Sequence, residues 1–154
     1  MTDLEPFVDL LREEGMEKVC HYGRTLLDHC VTTSDRALDW DLGRDVAVAC
    51  LFHSFYLVVA TPMIHTRHSL ARAIGEDSEA IVYGYTRKIP LAGSLASGVA
   101  QVEAANLADL ASYVPLTPEQ RQYLMRHASI CLPHLPLRAS HDLRNLLECG
   151  AACS

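Results

Sequence analysis

The chain of 154 residues is 49 % apolar and 21 % charged, which fits one globular domain with a single core and not a disordered segment. A formal net charge of −6 with only two lysines, Lys18 and Lys88, excludes general nucleic-acid binding and a polybasic membrane patch. The arginines are spread along the chain and can still serve one anionic substrate locally.

The pattern predicts helices almost throughout. Thr2 to Glu5 reads as a capping box that opens a first helix to about Glu14, with Gly15 as its stop. A second helix is expected from Glu17 or Arg24 to Trp40, and Gly43 marks a turn. A third helix is expected over Arg44 to Val59, ended by Pro62. "HTRHSLARAIGEDSEAIVYGYTRK" predicts two shorter helices split at Gly75, followed by a loop at Pro90 and Gly93. "SLASGVAQVEAANLADLASY" is an Ala-rich helix of good propensity despite Gly98. Thr117 as N-cap, Pro118 at the first position and Gln120 closing the box start the next helix. After the Pro-rich "CLPHLPLRASHD", a last helix covers about Ser140 to Cys149 and stops at Gly150. No strand alternation of useful length is present, so the expectation is an all-α single domain over 1–154, a bundle of about six to eight helices.

The cysteines at positions 20, 30, 50, 131, 149 and 153 form no C-x-x-C pair, which argues against a zinc knuckle or a thioredoxin-like motif. Cys149 and Cys153 read as incidental residues near a fraying end. The acidic, amphipathic start is unlike a secretory signal, so a cytoplasmic protein with reduced thiols is expected. Val46 to Ile64 carries no Asp, Glu, Lys or Arg, yet it contains His53, Ser54, Tyr56, Thr61 and Pro62. A central helix buried on all sides explains it better than a membrane span.

Eight histidines in a small acidic protein are the main chemical signal. On a helix, "CHYGRTLLDHC" places His21 and Asp28 about 20° apart and Thr25 and His29 about 40° apart. His21, Thr25, Asp28 and His29 would then share one face, with Arg24 at its edge, as a wet surface or a pocket wall. His53 sits in the apolar run "CLFHSFYLVV", either as a core histidine held by a carbonyl or a tyrosine, or as a pocket residue. In "EAANLAD", Asn106 and Asp109 are three apart on one helix, on a solvated face or facing a site. His65 and His68 line a pocket mouth or start a surface helix. Tyr83 and Tyr85 wall the pocket or fill the core, and His127, His134 and His141 receive no role.

"HCVTTSDRALDWDLGRDVAVACLFHS" resembles the first half of an HD-domain phosphohydrolase, and "ARAIGEDSEAIVYGYTRK" is similar to a segment of the hydrolase domains of guanosine-tetraphosphate enzymes. The resemblance covers Cys20 to Ala111. It aligns His29 with the family's first histidine, His53 with the histidine of its His-Asp doublet, and Asp109 with its last aspartate. Ser54 replaces the doublet's aspartate, a metal ligand in that family. A neutral hydroxyl is a poor substitute for a carboxylate on Mn²⁺, Fe²⁺ or Mg²⁺. "HYGRTLLDH" and "FHSFY" are more closely similar to an HD-like family, known mainly from bacterial genomes, with the patterns H-x-G-R-T-L-x-x-H and F-H-S-x-Y. That family has no assigned reaction, so the resemblance implies a fold and a pocket but no substrate. Its Gly-Thr after each motif is replaced here by Thr32-Thr33 and Leu57-Val58.

The resulting expectation is a small-molecule enzyme of bacterial specialised metabolism on a divergent HD-like fold. It works by metal-free acid–base catalysis, as a lyase, isomerase or cyclase. His53, His29 and Tyr56 are the candidate catalytic residues, and His21, Arg24, Thr33, Ser54 and Asn106 the candidate substrate contacts. No cofactor is favoured. The alternatives are a phosphohydrolase or oxygenase with one divalent transition metal (Mn, Fe or Zn) on His29, His53 and Asp109, and a non-catalytic binding module. A small-molecule substrate is the expected partner, with a homodimer left open and no nucleic acid or membrane.

Overall fold

The computed structural model describes residues 4–58, 63–88 and 92–149, without the side chains of 63–65 and 149. It is an all-α bundle. In chain order the helices are α1 (Glu5–Glu13), α2 (Leu26–Asp39), α3 (Arg44–Phe52), α4 (Phe55–Val58), α5 (Met63–Ile74), α6 (Glu76–Arg87), α7 (Gly93–Tyr113), α8 (Pro118–Cys131) and α9 (Leu137–Cys149). Helix α7 lies at the centre and packs against α2, α3, α6, α8 and α9. Its Ala104, Ala105, Ala108 and Ala111 are wholly buried, and these small side chains let the neighbouring helices come close.

Several starts and stops follow from local chemistry. Thr117 and Gln120 close the expected capping box on α8, with Pro118 at its first position. Gly15, with φ of 82°, stops α1 as expected. Helix α1 itself starts at Glu5 with Leu4 as N-cap and no side-chain cap. Thr2, Pro62, Pro90 and Gly150, invoked above as helix signals, lie outside the described residues, as do the side chain of His65 and Cys153. The last helix starts at Leu137, three residues before the expected Ser140, directly after Pro136.

Two corrections bear on the site. The segment expected to extend α2 toward Glu17 is a small antiparallel hairpin, β1 (Cys20–His21) and β2 (Arg24–Thr25). Tyr22 and Gly23 at its tip have φ of 50° and 84°, the left-handed conformations of a tight two-residue turn. The helix expected over Arg44–Val59 is broken after Phe52, and His53 and Ser54 form the break between α3 and α4. Val46 to Phe52 are all buried, so this first part of the charge-free run is a core helix, whereas Leu57 beyond the break is 74 % exposed and residues 59–62 lie outside the described residues. No helix among the described residues is long and apolar enough to cross a membrane.

Candidate functional site

The site is built where the hairpin, the first turns of α2, the break after α3 and the middle of α7 meet. Helix α2 starts where Thr25 accepts the Asp28 amide at 3.0 Å and Asp28 accepts the Thr25 amide at 3.3 Å. This start sets the rotation of α2 and turns His29, Thr32 and Arg36 toward α7. They face Asp109 and Ser112, spaced three apart on α7. Asp28 is thus spent on the cap, and His21 is not on the helix at all. The expected helical face of His21, Thr25, Asp28 and His29 is replaced by a hairpin that folds His21 over His29, with ring centroids 4.3 Å apart.

Asp109 is the hub of the buried polar groups. Its Oδ2 accepts from His29 Nδ1 at 2.6 Å and is paired with Arg24, while its Oδ1 accepts from Thr32 at 2.7 Å. Burial pushes the Asp109 carboxyl up. The hydrogen bonds from His29 and Thr32 and the charges of His29 and Arg24 outweigh burial and hold it below the usual carboxylate range. Arg24 also donates to Thr32 at 3.0 Å and lies 4.2 Å over the Tyr113 ring.

The break after α3 explains His53 and Ser54. In a continuous helix the Cys50 carbonyl would accept the Ser54 amide. Here it accepts the His53 Nδ1–H at 2.6 Å, while the amide and hydroxyl of Ser54 turn to the Cys30 sulfur. Burial pushes the Cys30 thiol up to about 12 against these two hydrogen bonds, so it stays a thiol. Burial, and then the charge of His29, push His53 down to about 4, so its ring is neutral at pH 7.

A neutral His53 with its proton on Nδ1 has a bare Nε2. That atom faces His29 Nε2 at 3.1 Å. His29 Nδ1 already faces an ionised carboxylate and carries a proton for it. Two bare ring nitrogens at that distance would repel, so one proton lies between the two Nε2 atoms. Both rings are almost fully buried, at 1 % and 3 % exposure.

The remaining sequence candidates fall elsewhere. The Tyr56 hydroxyl donates to Glu79 at 2.5 Å, and Arg67 grips the same carboxylate at 2.7 and 2.8 Å. The tyrosine that meets His53 is Tyr85, edge-on at 5.6 Å. Its hydroxyl accepts from Asn106 at 3.2 Å, so Asn106 stands behind Tyr85. Thr33 points into the core and bonds its own helix at the His29 carbonyl, and Thr32 is the threonine on Asp109. His68 is exposed, His127 bonds the Tyr123 carbonyl, and His134 meets Ser97.

A divalent metal on His29, His53 and Asp109 does not fit this geometry. Asp109 sits at Nδ1 of His29 and His53 at Nε2, on opposite sides of the ring, so the three do not converge on one point. Among the described residues no group of three His, Cys, Asp or Glu side chains can hold a metal ion.

Fold and site together define an all-α protein with a buried Asp–His–His chain closed by a hairpin. Residues 10–88, just over half of the chain, match the family described as Domain of unknown function (DUF6817), and the chain belongs to that family. The match includes His21, Arg24, His29, Thr32 and His53, and ends before Asp109. No curated protein and no solved structure matches the chain.

Proposed function

We propose that the protein is a small-molecule acid–base enzyme on a divergent HD-like fold, in which His29 and His53 work as a pair on one proton. The observation that carries this reading is the 3.1 Å approach of their Nε2 atoms while each Nδ1 is held by an acceptor. Asp109 positions His29, and the Cys50 carbonyl positions His53, so each ring presents Nε2 as its reactive atom. In a proton shift, His53 Nε2 takes a proton from one atom of the substrate and His29 Nε2 gives one to another. The proton then crosses from His53 back to His29, which restores the starting state without a cofactor. This balance suits an isomerase, or a lyase or cyclase whose bond change is driven by one proton taken and one given.

The enclosure of both rings favours a small substrate and shields the proton transfer from solvent. The free Cys20, Cys30, Cys50 and Cys131 suit the reduced cytoplasm. Histidine ¹⁵N NMR on protein of known metal content tests the reading. The expected spectrum has His53 as the Nδ1–H tautomer coupled to His29, with less than stoichiometric metal. About one Mn, Fe or Zn per chain that disappears in His53→Ala would overturn it in favour of a metal-dependent hydrolase or oxygenase.

A further inference from the structure

We infer that the hairpin carries a carboxylate-binding site made by His21 Nε2 and Arg24 Nε, so that the substrate is a small organic monoanion. This rests on the acid–base reading for what happens to the ligand, but not for its binding. His21 and Arg24 are direct partners across the two strands, so their side chains leave the same face of the hairpin. That face meets the site: His21 lies over the His29 ring, and Arg24 Nη2 is 3.2 Å from His29 Nδ1.

Each of the two side chains leaves one buried nitrogen without a partner, His21 Nε2 and Arg24 Nε. A buried donor left unsatisfied is costly, and two of them on paired residues of one short hairpin call for an acceptor. The rest of the Arg24 guanidinium is fixed by Asp109, Thr32 and the Tyr113 ring, which holds the Nε–H in place. Burial, followed by the charges of His29 and Arg24, lowers the pKa of His21, so the ring is neutral and can give an Nε2–H.

The fixed cation at the site, Arg24, is already paired with Asp109, and Asp28 is exposed and occupied at the helix cap. A singly charged carboxylate, whose two oxygens accept from two donors at once, suits such a place better than a doubly charged phosphate. Beside the orphan nitrogens stands Tyr22, 64 % exposed and edge-on to His21 at 4.7 Å. A tyrosine with φ of 50° occupies a conformation that a non-glycine residue adopts at a cost, and this one holds an open ring at the edge of the site. It offers a surface to the apolar body of the anion.

An NMR titration of full-length protein with benzoate and, separately, with inorganic phosphate tests this. Benzoate is expected to bind saturably and shift the amides of Tyr22 and Gly23. His21→Phe keeps a ring over His29 but removes the donor, and should weaken benzoate about tenfold. His21→Gln returns a donor at a similar reach and should recover most of that loss. The proposal is overturned by no saturable benzoate binding, by tighter binding of phosphate, or by equal benzoate affinity in His21→Phe. Histidine spectra of the same samples separate the two proposals. Benzoate binding without His29–His53 coupling removes the acid–base reading alone, and coupling without benzoate binding removes the carboxylate site alone.

Discussion

His53 refuses a proton in the fold that it accepts in the unfolded chain, and this makes stability depend on pH in a defined direction. Its pKa is about 4 when folded and near 6.5 when unfolded. Above about pH 6.5 the ring is neutral in both states, and its contribution to stability is fully present. As the pH falls from there to about 4, the unfolded chain binds a proton that the folded chain does not. Stability should drop by up to about 3 kcal/mol over that window and then level off for this group. Urea unfolding across the window measures it, and His53→Gln should lose that part of the slope. Asp109 presents the opposite chemistry at the other end of the chain of rings. Asp109→Asn leaves Arg24 without its counter-charge and should cost about 3 kcal/mol, whereas Thr32→Val, which removes one neutral donor, should cost about 1 kcal/mol. In Asp109→Asn the His53 tautomer should stay as it is, because the Cys50 carbonyl holds it. Urea unfolding of the two variants measures the costs, and histidine NMR of Asp109→Asn checks the tautomer, since a changed His53 tautomer would mean that Asp109, not the helix break, sets it.

Helix ends decide which residues reach the site. Thr25→Ala should cost about 1 kcal/mol and fray the turn that carries His29, visible as faster amide exchange at the start of α2. Helices α6 and α7 meet at Gly98, where propensity and packing disagree. Alanine there is favoured by about 1 kcal/mol on helix propensity. A Cβ would however stand 2.8 Å from Ile81 Cδ1 and 2.9 Å from its Cγ1. Overpacking costs more than the propensity returns, so Gly98→Ala should destabilise by about 1 kcal/mol net. Ile81→Ala removes both clashing atoms, so a double-mutant cycle should show the two changes coupled in the relieving direction. The same elements show how far the amino-acid pattern could be read. The box at Thr117 and the helix split at Gly75 are local chemistry and were legible. The hairpin was not, because two-residue strands have no alternation and its turn carries Tyr-Gly where Asn-Gly is the usual signal. The break at His53 was hidden by the unbroken apolar run around it, and only contact with Cys30 and Cys50 distinguishes it from a continuous helix. Thr33 was preferred to Thr32 for the same kind of reason. The two point about 100° apart, and the facing side is set by where α2 starts, which Thr25 decides. His53 was legible because a polar residue in an apolar run needed a reason, whereas His29 and Asp109 were joined to it by the resemblance to HD-domain enzymes. Tyr56 stood closer in sequence to His53 than Tyr85 did, but the break swings it toward Glu79.

The family match and the folding unit have different limits, and the whole molecule shows why. The matched residues 10–88 stop at the end of α6, while Asp109 and the apolar centre of the bundle belong to α7. Without α7, helices α2, α3 and α6 lose the helix that all three pack against. Val102, Ala104, Ala105, Leu107 and Ala108, all buried on α7, would leave an exposed apolar surface on those partners. Arg24 and His29 would also lose the carboxylate that compensates them at the site. A chain of residues 1–88 should therefore bind a hydrophobic dye and unfold gradually in urea, whereas 1–154 should show a single cooperative transition. Circular dichroism and dye fluorescence on the two chains measure this. A cooperative transition for 1–88 near the midpoint of the full chain would mean that the matched segment folds by itself. The polar pair between α2 and α7 would then be an addition to a finished domain. A gradual transition would mean that the paired histidines and their carboxylate are assembled only when the core itself is closed, so that site and stability cannot be separated in this fold.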